Sequence, residues 1–369
     1  MAGRGVRCRP HIELSVVVPT FNEAENVGPL CDRLARTLCG TAWEVIFVDD
    51  DSPDGTAGTV RRLAQARPNI RCLHRIGRRG LSSACLEGAL ASSAPYIAVM
   101  DADLQHDETL LPSMLDVLRA GDVDIVIGSR YVDGGGTGAW NARRVRLSAQ
   151  ATRLARTLSG GTVTDPLSGF FMASATVWRA SAPHLSAIGF KILLDILLPP
   201  PHRNLRVREL PYEFRNRERG ISKLDAAVAW DFLLLLLAKQ TAGKVPVRFL
   251  SFCIVGGLGV CVHLAVLGVG WSLRLPFLAV HAAATVTAMT SNFVLNNALT
   301  YRDKKLRGWR MAAGWLSFCL ASSIGALGNV GVGYLMQTAD HGWTVSATAG
   351  ILIGTVWNYA TTRVLTWRS

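Results

Sequence analysis

Along the first part of the chain, short apolar runs alternate with longer segments of helical period. The run "LSVVVPT" begins at Leu14, and "WEVIFVD", "IRCLH", "YIAVM" and "DIVIGS" follow it. Runs of this length, rich in Val and Ile and closed by Asp, Pro or Gly, predict buried strands. Between them, the residues from about Ala24, the segment "GTVRRLAQAR" and the small-residue segment "LSSACLEGALASS" predict helices. Strands that alternate with helices imply a parallel sheet with both faces covered. Such sheets bind ligands at the carboxyl ends of their strands. The acidic clusters "DDDS" and "DAD" stand at two of those ends.

From Asp165 to Leu224 the pattern is less regular. "DPLSGFF" reads as a loop, "GFKILLDILLPPP" as a short helix stopped by prolines, and "LRVRELPYEFRNRERGISKL" as a strand followed by a basic loop. The apolar core of "AAVAWDFLLLLLAK" is shorter than the ~20 residues a membrane span needs. It fits a helix at the membrane surface, with a buried soluble helix as the alternative. Four longer apolar stretches follow, roughly Arg248–Gly270, Pro276–Leu299, Met311–Met336 and Trp343–Thr366. Each is long enough to cross a bilayer. Their small residues, as in "IVGGLGV" and "ASSIGALGNVGVG", suit close helix packing in lipid. The expected organisation is an α/β domain over 1–224, an interface helix and linker over 225–246, and an all-α four-helix transmembrane domain over 247–369.

Composition sharpens that division. Hydrophobic residues make up 49% of the chain, charged residues 18%, and the mean hydropathy is positive. From Val247 onward nine Lys/Arg stand against two Asp/Glu, whereas the part before it holds thirty and twenty-five. The tail's basic excess lies between or after long apolar runs, which suits an anionic membrane surface and not a nucleic acid. The connection "YRDKKLRGWR" and the end with Arg363 and Arg368 are basic, while the other two connections hold only Arg274 and Asp340. Lys and Arg favour the cytoplasmic side. Four spans also return the chain to its starting side. The first domain and both termini are therefore expected in the cytoplasm, on a cytoplasmic or inner membrane. The apolar run near the start ends at Pro19, too soon for a signal peptide. None of the eight Cys forms a C-x-x-C pair, a usage of reducing compartments that gives no disulfide framework or zinc site.

If "YIAVMDAD" continues as a strand, Asp101 and Asp103 point to one side. Two such carboxylates repel unless a cation sits between them, although turns after strands use Asp as well. A divalent ion that neutralises a sugar nucleotide's diphosphate takes one or two carboxylates, phosphate oxygens and waters. Asp101 and Asp103 suit that task, with Gln105 as a further oxygen ligand or a supporting group. The upstream turn, Asp49 to Asp51, would face base and ribose. Asp50, Asp51 and Asp54 could equally cap the next helix, and Asp54 is read as that cap. In the tail, Asn292 and Asn296 share a helix face and Asn358 can answer them, which predicts interhelical hydrogen bonds.

The motifs "VVVPTFNEAENV", "VDDDSPDGT", "MDADLQH", "GSRY", "DPLSGFF", "GFKILL" and "SKL" resemble the inverting family-2 glycosyltransferases of GT-A (Rossmann-like) fold, in particular the dolichol- or polyprenyl-phosphate mannosyltransferases. The likeness covers about Leu14 to Val245. "NFVLNNALTYR" and "NYATTRVLTWR" are similar to the repeated span ends of GtrA-like membrane domains. The resemblance implies transfer of mannose from GDP-mannose to a polyprenyl phosphate with inversion. It implies Pro19, Glu23 and Asp50 around the nucleotide, and Mg²⁺ or Mn²⁺ held by Asp101, Asp103 and Gln105. Arg130 of "GSRY" would contact phosphate. Arg217, Ser222 and Lys223 would belong to a loop over the donor diphosphate and acceptor phosphate. Lys191 and Asp195 would fall in a helix near the membrane face. The sequence departs from the pattern in "QHDETLLP", where prolines are expected soon after the His, and in the run Pro199 to Pro201.

A lipid phosphate is already ionised at pH 7, so no base is needed. Positioning and charge neutralisation then carry the catalysis. Arg215, Arg217 and Arg219 would share one face of a strand, and Arg217 is the one favoured for phosphate; a solvated charge run is the alternative for all three, and at least one could be merely solvated. UDP-glucose as donor keeps the same mechanism. A scaffold that binds or translocates a lipid-linked sugar is the alternative of another class. A processive synthase is disfavoured, since no Q-x-x-R-W motif occurs. The bilayer is the expected partner, and the membrane domain offers a surface for homo-oligomers.

Overall fold

The computed structural model describes residues 11–138, 142–186, 189–198, 205–215, 226–241, 244–339 and 342–368. The chain divides into two compact units, Met1–Leu235 and Leu236–Ser369.

In the first unit a seven-stranded sheet has the order β3-β2-β1-β4-β6-β5-β7. Its strands are β1 (Leu14–Thr20), β2 (Trp43–Asp49), β3 (Ile70–His74), β4 (Tyr96–Val99), β5 (Ile125–Ser129), β6 (Phe171–Ser174) and β7 (Val207–Pro211). The expectation of a parallel sheet needs correction. β6 runs antiparallel to both β4 and β5, and the other pairs are parallel. This short strand begins at the last residue of "DPLSGFF". Being buried on both faces, it carries no polar–apolar alternation to announce it.

Alternation along the other strands feeds two cores. Val16, Val18 and Phe47 pack with Leu30 and Leu34 of α1 (Ala24–Thr37) and Met114 of α4 (Leu111–Arg119). Val17, Ile46 and Val48 pack with Ala84 and Cys85 of α3 (Leu81–Leu90), Trp178 of α6 (Ala175–Ser181) and Leu193 of α7 (Ile192–Leu197). Burying each large side chain contributes roughly 1.5–3 kcal/mol. α3 lies so close to the sheet that a Cβ on Gly88 would stand 2.4 Å from Val17. The remaining helices are α2 (Thr56–Ala66), α5 (Ala142–Leu158) and α8 (Ala226–Gln240).

The second unit is built from α9 (Val247–Ser272), α10 (Phe277–Leu295), α11 (Trp309–Thr338) and α12 (Trp343–Leu365). Four helices form, yet among the described residues three segments are long and apolar enough to cross a membrane: Val247–Ser272, Phe277–Thr300 and Trp309–Thr338. The expectation that each of the four stretches reads as a span is met by three; α12 falls short because Thr344, Ser346, Thr348, Asn358, Thr361, Thr362 and Arg363 dilute its hydropathy. Large apolar side chains face outward, including Leu264, Leu316, Leu320 and Val330, while Ser251, Asn296, Asn297, Thr300 and Thr362 are buried. Polar residues inside and apolar residues outside are the pattern of a bundle in lipid.

The four helices are two copies of one hairpin. "LSFC" occurs at 250–253 and again at 316–319. Ser251 Oγ lies 2.7 Å from Thr300 Oγ1, and Ser317 Oγ lies 3.1 Å from Thr366 Oγ1, each bond spanning 49 residues. Gly259 faces Asn292 as Gly325 faces Asn358. Tyr301 and Trp367, which end the two hairpins, stack with ring centroids 4.1 Å apart.

The asparagines correct another expectation. Asn296 Nδ2 bonds within its own helix to Asn292 O, while Asn292 Oδ1 and Asn358 Oδ1 are buried against glycine backbone. Such glycines can offer Cα–H contacts. The cross-linking asparagine is Asn297. It exchanges hydrogen bonds with the backbone of Leu306 and accepts one from Trp367 Nε1 at 3.2 Å. A π-helical turn over Asn296–Thr300 shifts the phase and turns Asn297 inward.

Candidate active site

β1, β2, β4 and β5 end together, and their turns build the site. At the end of β2, Asp49 is fully buried. It accepts hydrogen bonds from Thr20 Oγ1, Ser52 N and Ser52 Oγ. Asp50 is also buried, with Arg75 Nη1 at 2.9 Å on one oxygen and the Gly80 N–H at 2.6 Å on the other. Burial raises its pKa, against the Gly80 bond and the Arg75 charge. Asp50 thus organises the loop from Arg75 to Gly80. Asp51 is more exposed and accepts from the Gly77 N–H and from His74 Nε2, two bonds that hold its pKa down.

Asp54 does not occupy the cap position of α2, which falls on Gly55. Its Oδ1 nevertheless accepts Thr56 N and Thr56 Oγ1, and its Oδ2 accepts Ala24 N, so it ties the starts of α1 and α2. Glu23, just before α1, accepts from Asn26 Nδ2. Pro19 lies buried in β1, paired with Val48.

β4 stops at Val99, and Leu104 takes a left-handed φ of 62°. Asp101 and Asp103 therefore sit in a turn, and the strand-alternation argument for their common side does not hold. Packing aims them instead. The Asp101 N–H donates to His106 Nδ1 at 3.1 Å. The proton of the neutral ring then belongs on Nε2, which lies 3.8 Å from Asp101 Oδ2. His106 is buried and stacked on Phe170, and burial pushes its pKa down to about 4. Asp103 is 6% exposed and accepts the Gln105 N–H at 3.3 Å. Asp101 is partly exposed, beside Gly169.

Gln105 joins this turn to the strand end after β7. Its Nε2 donates to Arg215 O and its carbonyl accepts the Arg215 N–H, both at 2.9 Å. Arg215 also bonds Glu108 at 3.0 Å and Asp107 at 2.8 Å. The alternative of a merely solvated charge does not hold for Arg215, which clamps Asp107 and Glu108. Arg217, Ser222 and Lys223 lie outside the described residues, as do Arg219, Pro199, Pro200 and Pro201.

Arg130, just after β5, meets Asp165 in a two-pronged pair, Nε to Oδ2 and Nη2 to Oδ1, each 2.8 Å. Burial disfavours the guanidinium charge, but the Asp165 pair outweighs it and raises the pKa. Asp165 is 0% exposed. Glu209 of β7 in turn accepts Asp165 N, Thr164 N and Thr164 Oγ1. A guanidinium fixed along one edge presents its other edge in a set direction. Asp165→Asn should leave the Arg130 charge buried without its carboxylate. We expect a loss of stability of about 3–5 kcal/mol, read as a lower melting temperature in detergent. An unchanged melting temperature would count against the pair's role.

Asp165, His106 and Glu209 were not assigned from sequence. The Asp stands in a motif already recognised, and "QH" follows "DADL", but nothing local marks them as buried. Chemically, the site combines two acidic turns and an Arg fixed by a carboxylate. Among the described residues no group of three or more His, Cys, Asp or Glu could hold a metal ion by itself. Two carboxylates and an amide are a hard donor set that fits Mg²⁺ or Mn²⁺ when phosphate oxygens and waters complete the shell.

The comparisons agree with this construction. Residues 15–178 match the glycosyl transferase family 2 domain, and residues 251–367 match the GtrA/DPMS transmembrane domain. Fold and site thus define an integral membrane glycosyltransferase. The chain is similar to the dolichol-phosphate mannosyltransferase of Pyrococcus furiosus, with 32% identity over 96% of this chain and 99% of that protein. It is also similar to the dolichol-phosphate mannosyltransferase of Mycosarcoma maydis, with 36% identity over 64% of this chain and 82% of that one. Among solved structures, the glucosyl-3-phosphoglycerate synthase of Mycobacterium tuberculosis matches at 20% identity and TM-score 0.46, covering 63% of this chain and 81% of that one. The chain belongs to the dolichol-phosphate mannosyltransferase family within glycosyl transferase family 2.

Proposed function

We propose that this enzyme transfers mannose from GDP-mannose to a dolichyl or other polyprenyl phosphate, with inversion, to give the β-linked mannosyl phosphate lipid. The observation that carries this reading is the similarity to one dolichol-phosphate mannosyltransferase along both the transferase unit and the membrane unit. Residues 1–224 act as the transferase domain in the cytoplasm, 225–246 as an interface helix and linker, and 247–369 as the membrane anchor, with both termini cytoplasmic.

The acceptor brings its own ionised oxygen, so the chain's task is to bring two anions together. Asp101 and Asp103, with Gln105, would hold Mg²⁺ or Mn²⁺, which would supply charge neutralisation for a bound diphosphate. Pro19, Glu23 and Asp50 shape the nucleotide side, Asp50 by holding the Arg75–Gly80 loop. Arg130 receives a phosphate oxygen with its fixed guanidinium. Arg217, Ser222 and Lys223 close over both phosphates from the segment that begins beyond Arg215. Attack on the anomeric carbon from the side opposite the diphosphate breaks the sugar–diphosphate bond. It inverts the centre and leaves GDP with the electron pair.

The test supplies membranes with labelled GDP-mannose or UDP-glucose, polyprenyl phosphate and Mg²⁺ or Mn²⁺, followed by organic extraction. Metal-dependent lipid label from GDP-mannose is the expected result. Label from UDP-glucose alone would move the donor assignment, and no label from either would overturn the transfer.

A further inference from the structure

We propose that Lys191 is a substrate-binding residue whose ammonium group takes a phosphate oxygen at the site, between Arg130 and the acidic turn of Asp101. The proposal deepens the transfer reading above and rests on it. Its geometry comes from the short loop Asp165 to Gly169. At one end, Asp165 holds Arg130. At the other, Gly169 packs against Asp101, where an added Cβ would stand 3.2 Å from Oδ2. Between them, Leu167 O accepts a hydrogen bond from Lys191 Nζ at 3.0 Å. Ser168 Oγ donates to Gly128 O at 2.7 Å and fastens the loop to β5. Lys191 is thus tied to a hydrogen-bonded loop that touches both Arg130 and Asp101.

The lysine's own bonding does not explain its place. An ammonium has three N–H donors. Among the described residues Nζ has one hydrogen-bond acceptor, the Leu167 carbonyl, and no carboxylate within ion-pair distance. The nearest carboxylate of the loop, Asp165, is already committed to Arg130. A half-buried cation set beside another cation is unfavourable unless an anion joins them. Burial and the Arg130 charge draw the Lys191 pKa down to about 8, while Asp165 and Asp101 oppose the shift. A phosphate bridging Arg130 and Lys191 would complete this set with charge-assisted hydrogen bonds. The oxygen can belong to the donor diphosphate or to the acceptor phosphate, and both present the same chemistry to the ammonium.

Lys191→Gln and Lys191→Arg test the assignment in the full-length enzyme in membranes. Gln can keep the bond to Leu167 O but has no charge, and Arg restores charge. Lipid-extractable label is measured while each substrate is varied, and GDP is added as a competitor. For Lys191→Gln we expect KM for one substrate to rise roughly tenfold or more, the scale of one lost charged hydrogen bond, with at least partial recovery in Lys191→Arg. A rise confined to the polyprenyl phosphate KM assigns the acceptor phosphate. A rise for the sugar nucleotide, with weaker inhibition by GDP, assigns the donor diphosphate. Lys191→Gln with both KM values within twofold of the parent would overturn the proposal. So would equal loss of kcat in both variants with both KM values unchanged. Failure of the parent enzyme to label lipid would instead strike the transfer reading itself.

Discussion

Asp103→Ala is expected to abolish lipid labelling, by on the order of a thousandfold or more, while the protein still accumulates in the membrane fraction. In the proposed function the carboxylate is one of two in the acidic turn that would bind a divalent ion, and it is almost wholly buried. Charge stabilisation by a metal at a phosphoryl oxygen is worth several kcal/mol, and about 1.4 kcal/mol is tenfold in rate. Asp103 Oδ1 also accepts the Gln105 N–H, so the alanine variant alone mixes two effects. Asp103→Asn separates them, because the amide oxygen can still accept that bond. Loss of transfer in both variants assigns the charge. An active Asn variant beside a dead Ala variant would make Asp103 a turn residue. Near-normal transfer in Asp103→Ala would remove the metal assignment altogether.

Much of the first unit was legible because its strands are apolar runs closed by acidic turns. That pattern located β1 to β5 and put "DDDS" and "DAD" at the carboxyl ends of β2 and β4. It could not locate β6, whose apolar residues face both cores with no alternation. Nor could it show that β4 ends at Val99, so that Asp101 is held by His106 and Gly169, and Asp103 by the Gln105 N–H, and not by strand geometry. Side chains whose importance comes from long-range partners stayed hidden for the same reason. Asp165 matters because Arg130 arrives from β5. Arg215 matters because the acidic turn, far back in the chain, lies against it. In the membrane unit the apolar stretches were plain and their Asn-containing ends looked repeated. The inward residue, however, is Asn297, which depends on a π-turn that periodicity at 3.6 residues misplaces.

Gly325→Val is expected to destabilise the membrane unit by about 1–3 kcal/mol, the usual cost of forcing bulk into a packed interface. A Cβ at Gly325 would stand 2.0 Å from Asn358 Oδ1 and 2.8 Å from its Cγ. The amide cannot retreat by a small adjustment, because its Nδ2 would also lie only 3.1 Å away. The equivalent Gly259→Val meets Asn292 Oδ1 at 2.3 Å, so both hairpins should respond alike. Gly328, on the same helix as Gly325, has nothing within 4 Å of an added Cβ. Gly328→Ala should therefore hold or gain stability, by up to about 1 kcal/mol from helix propensity. The readout is the temperature at which detergent-solubilised protein loses its monodisperse size-exclusion peak. Equal behaviour of Gly325→Val and Gly328→Ala would show that the Gly–Asn contact does not hold the hairpin. Recovery in Gly325→Ala combined with Asn358→Ala, relative to Gly325→Ala alone, would trace the loss to that contact, because removing the amide vacates the space the new methyl group needs.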